Sequence, residues 1–202
     1  RPTSRWSISS RCWPSPVRHR AGIEPGVMAY DLRARGDFDY GAGAFSREAV
    51  LAWLHEAAII VRQNAPEQLI TAGWDDEAEV TAPLVDFLSF QHYGDLDPLR
   101  QEIAILTDAT RKPIILAAFG YSTFESDERL QRERYQRVLE AVTRNHLAGW
   151  AAWTAFDVPL AFACPDADCA NDAAYHYGLW RVGYSPKLAV AAVEAVTGVF
   201  AP

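Results

Sequence analysis

The sequence predicts an α/β protein assembled from parallel βα units. From about residue 25 onward, short apolar runs alternate regularly with longer amphipathic segments, the pattern of strands crossing over through helices. Val50, Leu54, Ala57, Ala58 and Val61 repeat at the spacing of one buried helix face. With 202 residues, half of them apolar, the chain is long enough for one sizeable core.

Residues 27–32 form the first expected strand, and Ser46 is placed to cap a helix over 47–64. Residues 69–73 make the next strand, followed by the acidic loop DDEAE, too short for a full helix. A third strand is expected over 85–93. A helix over 98–110 then turns Leu99, Ile103 and Leu106 inward. Pro113 introduces a strand over 114–119, and Ser126 opens a long helix carrying Leu130, Val138, Leu139 and Val142. Residues 149–156 form the last strand. Pro186 is expected in a helix's first turn, with 188–196 closing the chain.

Residues 1–24 differ from the rest and read as a basic, irregular arm, leaving 25–202 as the folded domain. The first 22 residues hold five Arg and no acid, with no helical or strand period. They read either as an interaction tail or as a non-native leader, and the opening Arg1 as a processed or truncated start. The chain as a whole is acidic, with net charge −7 and no clustered Lys and Arg beyond the arm, which argues against a nucleic-acid partner. No run of about 18 apolar residues marks a membrane span, and the N-terminus lacks a signal peptide's apolar centre. Cys164 and Cys169 bracket PDAD at a spacing that suits either a small disulfide or two free thiols; Cys12 has no obvious partner. A metal site would need more ligands than nearby His176 supplies, so no metal and no cofactor is expected.

Two strand ends carry the functional signal: VMAYDLRARGD over 27–37 and KPIILAAFGYS over 112–122. They resemble the motifs "aWDLxNEpD" and "kPvilxEFGys" of the (β/α)8 glycoside hydrolases related to the cellulase and mannanase family, retaining enzymes with two catalytic glutamates. The order of motifs and the stretch GLWRVGYSPK before the final helix carry the resemblance along nearly all of the non-basic chain. It implies a partial (β/α)8 TIM barrel whose strands are the family's fourth to eighth. A closed barrel runs to about 250 residues. Five units leave two strand edges open, so self-association through them is expected.

On this resemblance Ala34 and Arg35 occupy the positions of the family's Asn and acid/base Glu, and Ala118 that of its nucleophilic Glu. A retaining glycosidase needs one carboxyl to protonate the leaving oxygen and another, about 5 Å away, to attack the anomeric carbon. Arginine stays protonated and alanine has no nucleophile, so no catalytic residue of the ordinary mechanism is intact. FQHYG places Gln91 at the family's His position and Tyr93 at its Tyr position, with His92 pointing the other way. Trp153, in GWAAWTAFD, matches the ring that stacks on sugar, with Trp74 and Tyr121 as further substrate-binding candidates. Trp53 and Trp150 read as packing. Asp31, Asp37, Asp75, Asp76, Asp95, Glu125 and Asp157 lie at or just after strand ends, where Asp31 orients its neighbours, Asp157 supports its loop, and Asp75 with Asp76 forms a solvated charge run.

Three functional readings stand. One is a catalytically impaired glycoside-hydrolase-like protein of carbohydrate metabolism that binds an oligosaccharide or polysaccharide in a remnant cleft. Another is an active retaining endo-β-glycosidase using relocated carboxylates. The third is a ligand-free fragment stabilised by self-association. Secretion of a full-length parent is implied by the resemblance alone.

Overall fold

The computed structural model describes residues 26–124, 126–163 and 170–197. The basic arm, Cys12, Glu125, Cys164 and Cys169 lie outside the described residues. The described residues fall into two compact units, the first ending at Ser89 and the second beginning at Phe90.

In the first unit, β1 (Ala29–Asp31) pairs in parallel with β2 (Leu69–Thr71), Ala29 opposite Leu69 and Asp31 opposite Thr71. A short helix, α1 (Gly36–Gly41), follows β1, then α2 (Arg47–Asn64), and β3 (Gly73–Trp74) follows β2. Ser46 caps α2 as expected, its hydroxyl accepting from the Ala49 amide at 3.2 Å. All five residues of the expected apolar stripe are buried, and Ala58 and Val61 form a cluster with Ile70. Burying a Val or Leu side chain is worth about 1.5–3 kcal/mol, so this stripe is what seats α2. The strand expected over 69–73 is split at Ala72. Asp86 ties its first half down, accepting from the Ile70 amide at 2.7 Å and from Arg62 at 2.5 Å. The acidic loop contains a 3-10 turn, Ala78–Thr81.

Strand β4 (Leu88–His92) runs into the second unit at Phe90, where β5 (Ile114–Phe119) and β6 (Gly149–Ala152) follow it side by side in that order. Helices α3 (Leu96–Ala109) and α4 (Glu128–Arg144) connect them, and α5 (Leu160–Ala163) and α6 (Val190–Thr197) follow β6. β5 and β6 are parallel, with a register shift between Leu116 and Phe119. Leu99, Ile103 and Leu106 are buried as expected.

Three local expectations are corrected. Asp127, not Ser126, caps α4 through a 2.8 Å bond from the Leu130 amide, while the Ser126 hydroxyl donates to the Ser122 carbonyl. Leu130 is 39% exposed because the buried stripe runs through Gln131, Tyr135, Val138, Leu139 and Val142, one residue (about 100°) out of phase with it. Pro186 is not in a helix. It pairs with Trp180 in an antiparallel bridge, and α6 starts four residues later. No helix among the described residues is long and apolar enough to cross a membrane.

Candidate functional site

In the first unit, the chain leaving β1 is pinned to the end of β3. The Asp31 carboxylate accepts from the amides of Arg33 (3.2 Å) and Gly73 (3.1 Å), and the Arg35 amide donates to the Gly73 carbonyl at 2.6 Å. A Cβ on Gly73 would lie 2.9 Å from the Asp31 carboxylate, which would have to shift to admit a side chain. Ala34 is exposed and offers only a methyl group. Arg35 has left-handed backbone (φ 56, ψ 43) at the mouth of α1.

The Arg35 side chain turns onto an acid. Its Nε lies 2.8 Å from Asp75 Oδ2, and its guanidinium sits 5.3 Å from the centre of the Phe38 ring. Asp37 is buried, and its two carboxylate oxygens accept from the amides of Asp75 and Asp76, each at 3.2 Å. Asp75, expected from sequence to belong to a solvated charge run with Asp76, is instead a part-buried group held through backbone and side chain. Burial pushes its carboxyl above the usual range, Arg35 opposes that, and Asp37 adds to it. Trp74 has no exposed surface. Its ring lies edge-on to Tyr40 at 5.8 Å, and a Cβ on Gly36 would fall 2.6 Å from its Nε1, so the ring presents no face to a ligand.

In the second unit, the remaining predicted residues stand at the carboxyl ends of β4, β5 and β6. Gln91 is on β4 and Tyr93 just beyond it, 39% exposed and edge-on to Tyr177 at 6.2 Å. The His92 ring between them bonds the Asp95 carbonyl at 2.8 Å, a loop-bracing contact. Ala118 is on β5 and half-buried. Tyr121 is buried; its hydroxyl donates to the Gly94 carbonyl at 3.1 Å, and burial pushes the phenol up to about 12 against the pull of Arg134. Trp153, just past β6, is 54% exposed, and its amide donates to the Phe119 carbonyl at 2.7 Å. Gly120 makes that approach feasible: a Cβ there would lie 1.9 Å from the Trp153 carbonyl oxygen. The Trp153–Thr154 peptide bond is cis.

Two residues that sequence reasoning left without a role hold this end of the second unit together. Lys187 is 2% exposed, and its ammonium donates to Asp157 (2.7 Å), Thr123 (2.9 Å) and the His176 carbonyl (3.1 Å), which uses all three of its protons. Asp157 also accepts from the Gly178 amide at 2.9 Å. Gln131, fully buried on α4, donates to the carbonyls of Tyr121 and Gly178. The signal for Lys187 was available: a lone cation between Pro186 and the apolar run LAVAAV.

Chemically, the first unit offers an arginine clamped to an aspartate, and the second offers aromatic rings and an amide. Among the described residues, no cluster of His, Cys, Asp or Glu is arranged to hold a metal ion.

No protein-family model and no curated protein matches the chain. Solved structures do. A GH5_18 variant from Streptomyces cattleya in complex with Manβ1-4GlcNAc aligns with a TM-score of 0.68 and 19% identity, over 89% of this chain and 51% of that one. A GH2 β-galacturonidase from Eisenbergiella tayi bound to galacturonate aligns at 0.65 and 16% identity, over 88% and 34%. The β-D-glucuronidase of Dictyoglomus thermophilum aligns at 0.59 and 20% identity, over 74% and 29%. This chain thus spans about half or less of the length of these neighbours. The likeness establishes the fold alone: α/β with parallel strands, a partial (β/α) barrel.

Proposed function

We propose that this chain is a glycoside-hydrolase-like protein that binds a β-linked oligosaccharide without hydrolysing it by the two-glutamate retaining route. The observation that carries this reading is the pairing of Arg35 with Asp75. The residue at the family's acid/base position is a cation, and the nearest carboxylate is already committed to it. Ala118, at the nucleophile position, has no group to attack an anomeric carbon. Recognition of sugar then rests on the second unit. Trp153, 54% exposed, is the ring proposed to stack on pyranose C–H surfaces, with Tyr93 and Gln91 supplying hydrogen-bonding groups. Ala34 adds only a small contact. Trp74 and Tyr121 act as supports beneath the strand ends, and self-association through open strand edges accompanies this reading.

Relocated catalysis is not favoured. It needs two carboxyls at defined separation with their proton affinities pushed apart, whereas Asp31, Asp37, Asp75 and Asp157 are each engaged in bracing backbone or pairing with a cation. The test is binding without cleavage. The parent is expected to bind gluco- or manno-oligosaccharides and W153A to lose that binding, with no shortened products from either. A parent that binds no sugar, or that releases shortened products, would contradict the proposal.

A further inference from the structure

The first unit carries an unanswered negative charge. Residues 26–89 contain eleven acidic residues, four arginines and no lysine. All four arginines are already paired inside the unit: Arg33 with Asp39, Arg35 with Asp75, Arg47 with Glu77 and Arg62 with Asp86. Glu56 on α2 and Glu67 just before β2 are exposed, and no cation among the described residues pairs with them. The same unit has an apolar groove of about 330 Å³ between α2 and residues 83–84, lined by Ala58, Ile59, Pro83 and Leu84 together with His55 and Arg62. It lies close to where the described chain starts. Gln68 is 4% exposed; its side-chain amide donates to the Val27 carbonyl at 2.6 Å, and its own backbone carbonyl accepts from the Arg62 guanidinium at 3.2 Å. One buried residue therefore links the entry to β1 with the wall of the groove.

We infer that the basic arm, residues 1–24, docks on the first unit of its own chain, with Trp13 in this groove and the flanking Arg11 and Arg18 on Glu56 and Glu67. The arm supplies what the unit lacks, five arginines against one acid, and around Trp13 it carries the run WPSPV, with apolar groups for an apolar groove. Proline fixes φ in advance, so less backbone freedom is lost when Pro14 and Pro16 are held. Glu56 and Ile59 stand three positions apart on one face of α2, so a ring over Ile59 brings its neighbours to Glu56. Reach is not limiting, because the residues between Trp13 and Gly26 span up to about 40 Å when extended. A tethered segment acts at about millimolar effective concentration. A small groove and two exposed ion pairs therefore suffice for the arm, where a separate protein would need a far larger contact.

The experiment compares the full chain with its variants W13A and I59R under brief trypsin treatment, reading release of the arm peptides by mass spectrometry. Cleavage follows the fraction of the arm that is undocked. Cleavage after Arg11 and Arg18 is expected to be at least about tenfold slower in the parent than in either variant. The ratio is expected to hold when the protein is diluted about a hundredfold, because docking within one chain does not depend on concentration. W13A changes no residue of the folded domain, so its loss of protection cannot come from misfolding, and Ile59 is 43% exposed, which lets I59R block the groove from its surface. Equal cleavage of the parent and W13A overturns the inference. Protection retained in I59R overturns the seat in the groove. Protection that disappears on dilution overturns docking within the chain, since a second copy would then hold the arm.

Discussion

The Nε of Arg35 lies 2.8 Å from Oδ2 of Asp75, and the Asp75 amide is in turn held by the Asp37 carboxylate at 3.2 Å. On the proposed reading, this ion pair stands at the strand end where the resembled family carries an acid. Its partners are half-exposed and about one-quarter exposed, so its contribution to stability is modest, about 0.2–1 kcal/mol. Its significance is chemical.

R35E sets a carboxylate against Asp75 and Asp37 with no cation between them. It is expected to lower stability by about 1 kcal/mol at neutral pH, and adding D75N is expected to recover most of the loss. Chemical denaturation of the three proteins checks this.

The Asp75 carboxyl is held above the ordinary range chiefly by burial. A raised folded value means that the native state binds the proton more tightly than the unfolded state, so the contribution is fully present below the unfolded value and lost as pH rises through the folded one. The stability of D75N relative to the parent is therefore expected to increase as pH rises from below about 4 towards neutrality. A flat difference would mean that Arg35 compensates burial completely.

Lys187 and Asp157 are 2% and 10% exposed. Removing one partner leaves an uncompensated buried charge, and D157A is expected to cost about 3–5 kcal/mol. Replacing the pair together, as K187M/D157L, is expected to cost clearly less than the single change, read from urea midpoints.

Gly120 lies where a Cβ would meet the Trp153 carbonyl oxygen at 1.9 Å. G120A therefore has to displace the Trp153 backbone. It is expected to lose at least about 1–3 kcal/mol together with sugar-dependent Trp fluorescence, whereas G41A, with no atom within 4 Å of its Cβ, is expected to change neither.

Much of the fold was legible because local and tertiary preferences agree. The α2 stripe, its Ser46 cap and the strand Ile114–Phe119 follow from spacing and punctuation alone. Where they disagree, the reading slipped. Leu130 looked like core, yet the phase of α4 is set by Gln131 and Tyr135, whose burial depends on distant carbonyls and rings. Asp75 looked solvated because its partner Arg35 lies forty positions away in sequence. Trp74 looked like a cleft residue because sequence does not reveal that Gly36 covers its ring. Trp153 was singled out because a parallel strand's carboxyl end is where barrel sites form; the structure shows it 54% exposed just past β6, and its contact with sugar is part of the proposal.

The most direct test is a tryptophan fluorescence titration of the parent chain with gluco- and manno-oligosaccharides, followed by analysis of the same samples for shortened products. The account predicts saturable quenching that disappears in W153A, with no cleavage. Shortened products from the parent would contradict it, because they would require a pair of working carboxylates in place of Arg35 and Ala118.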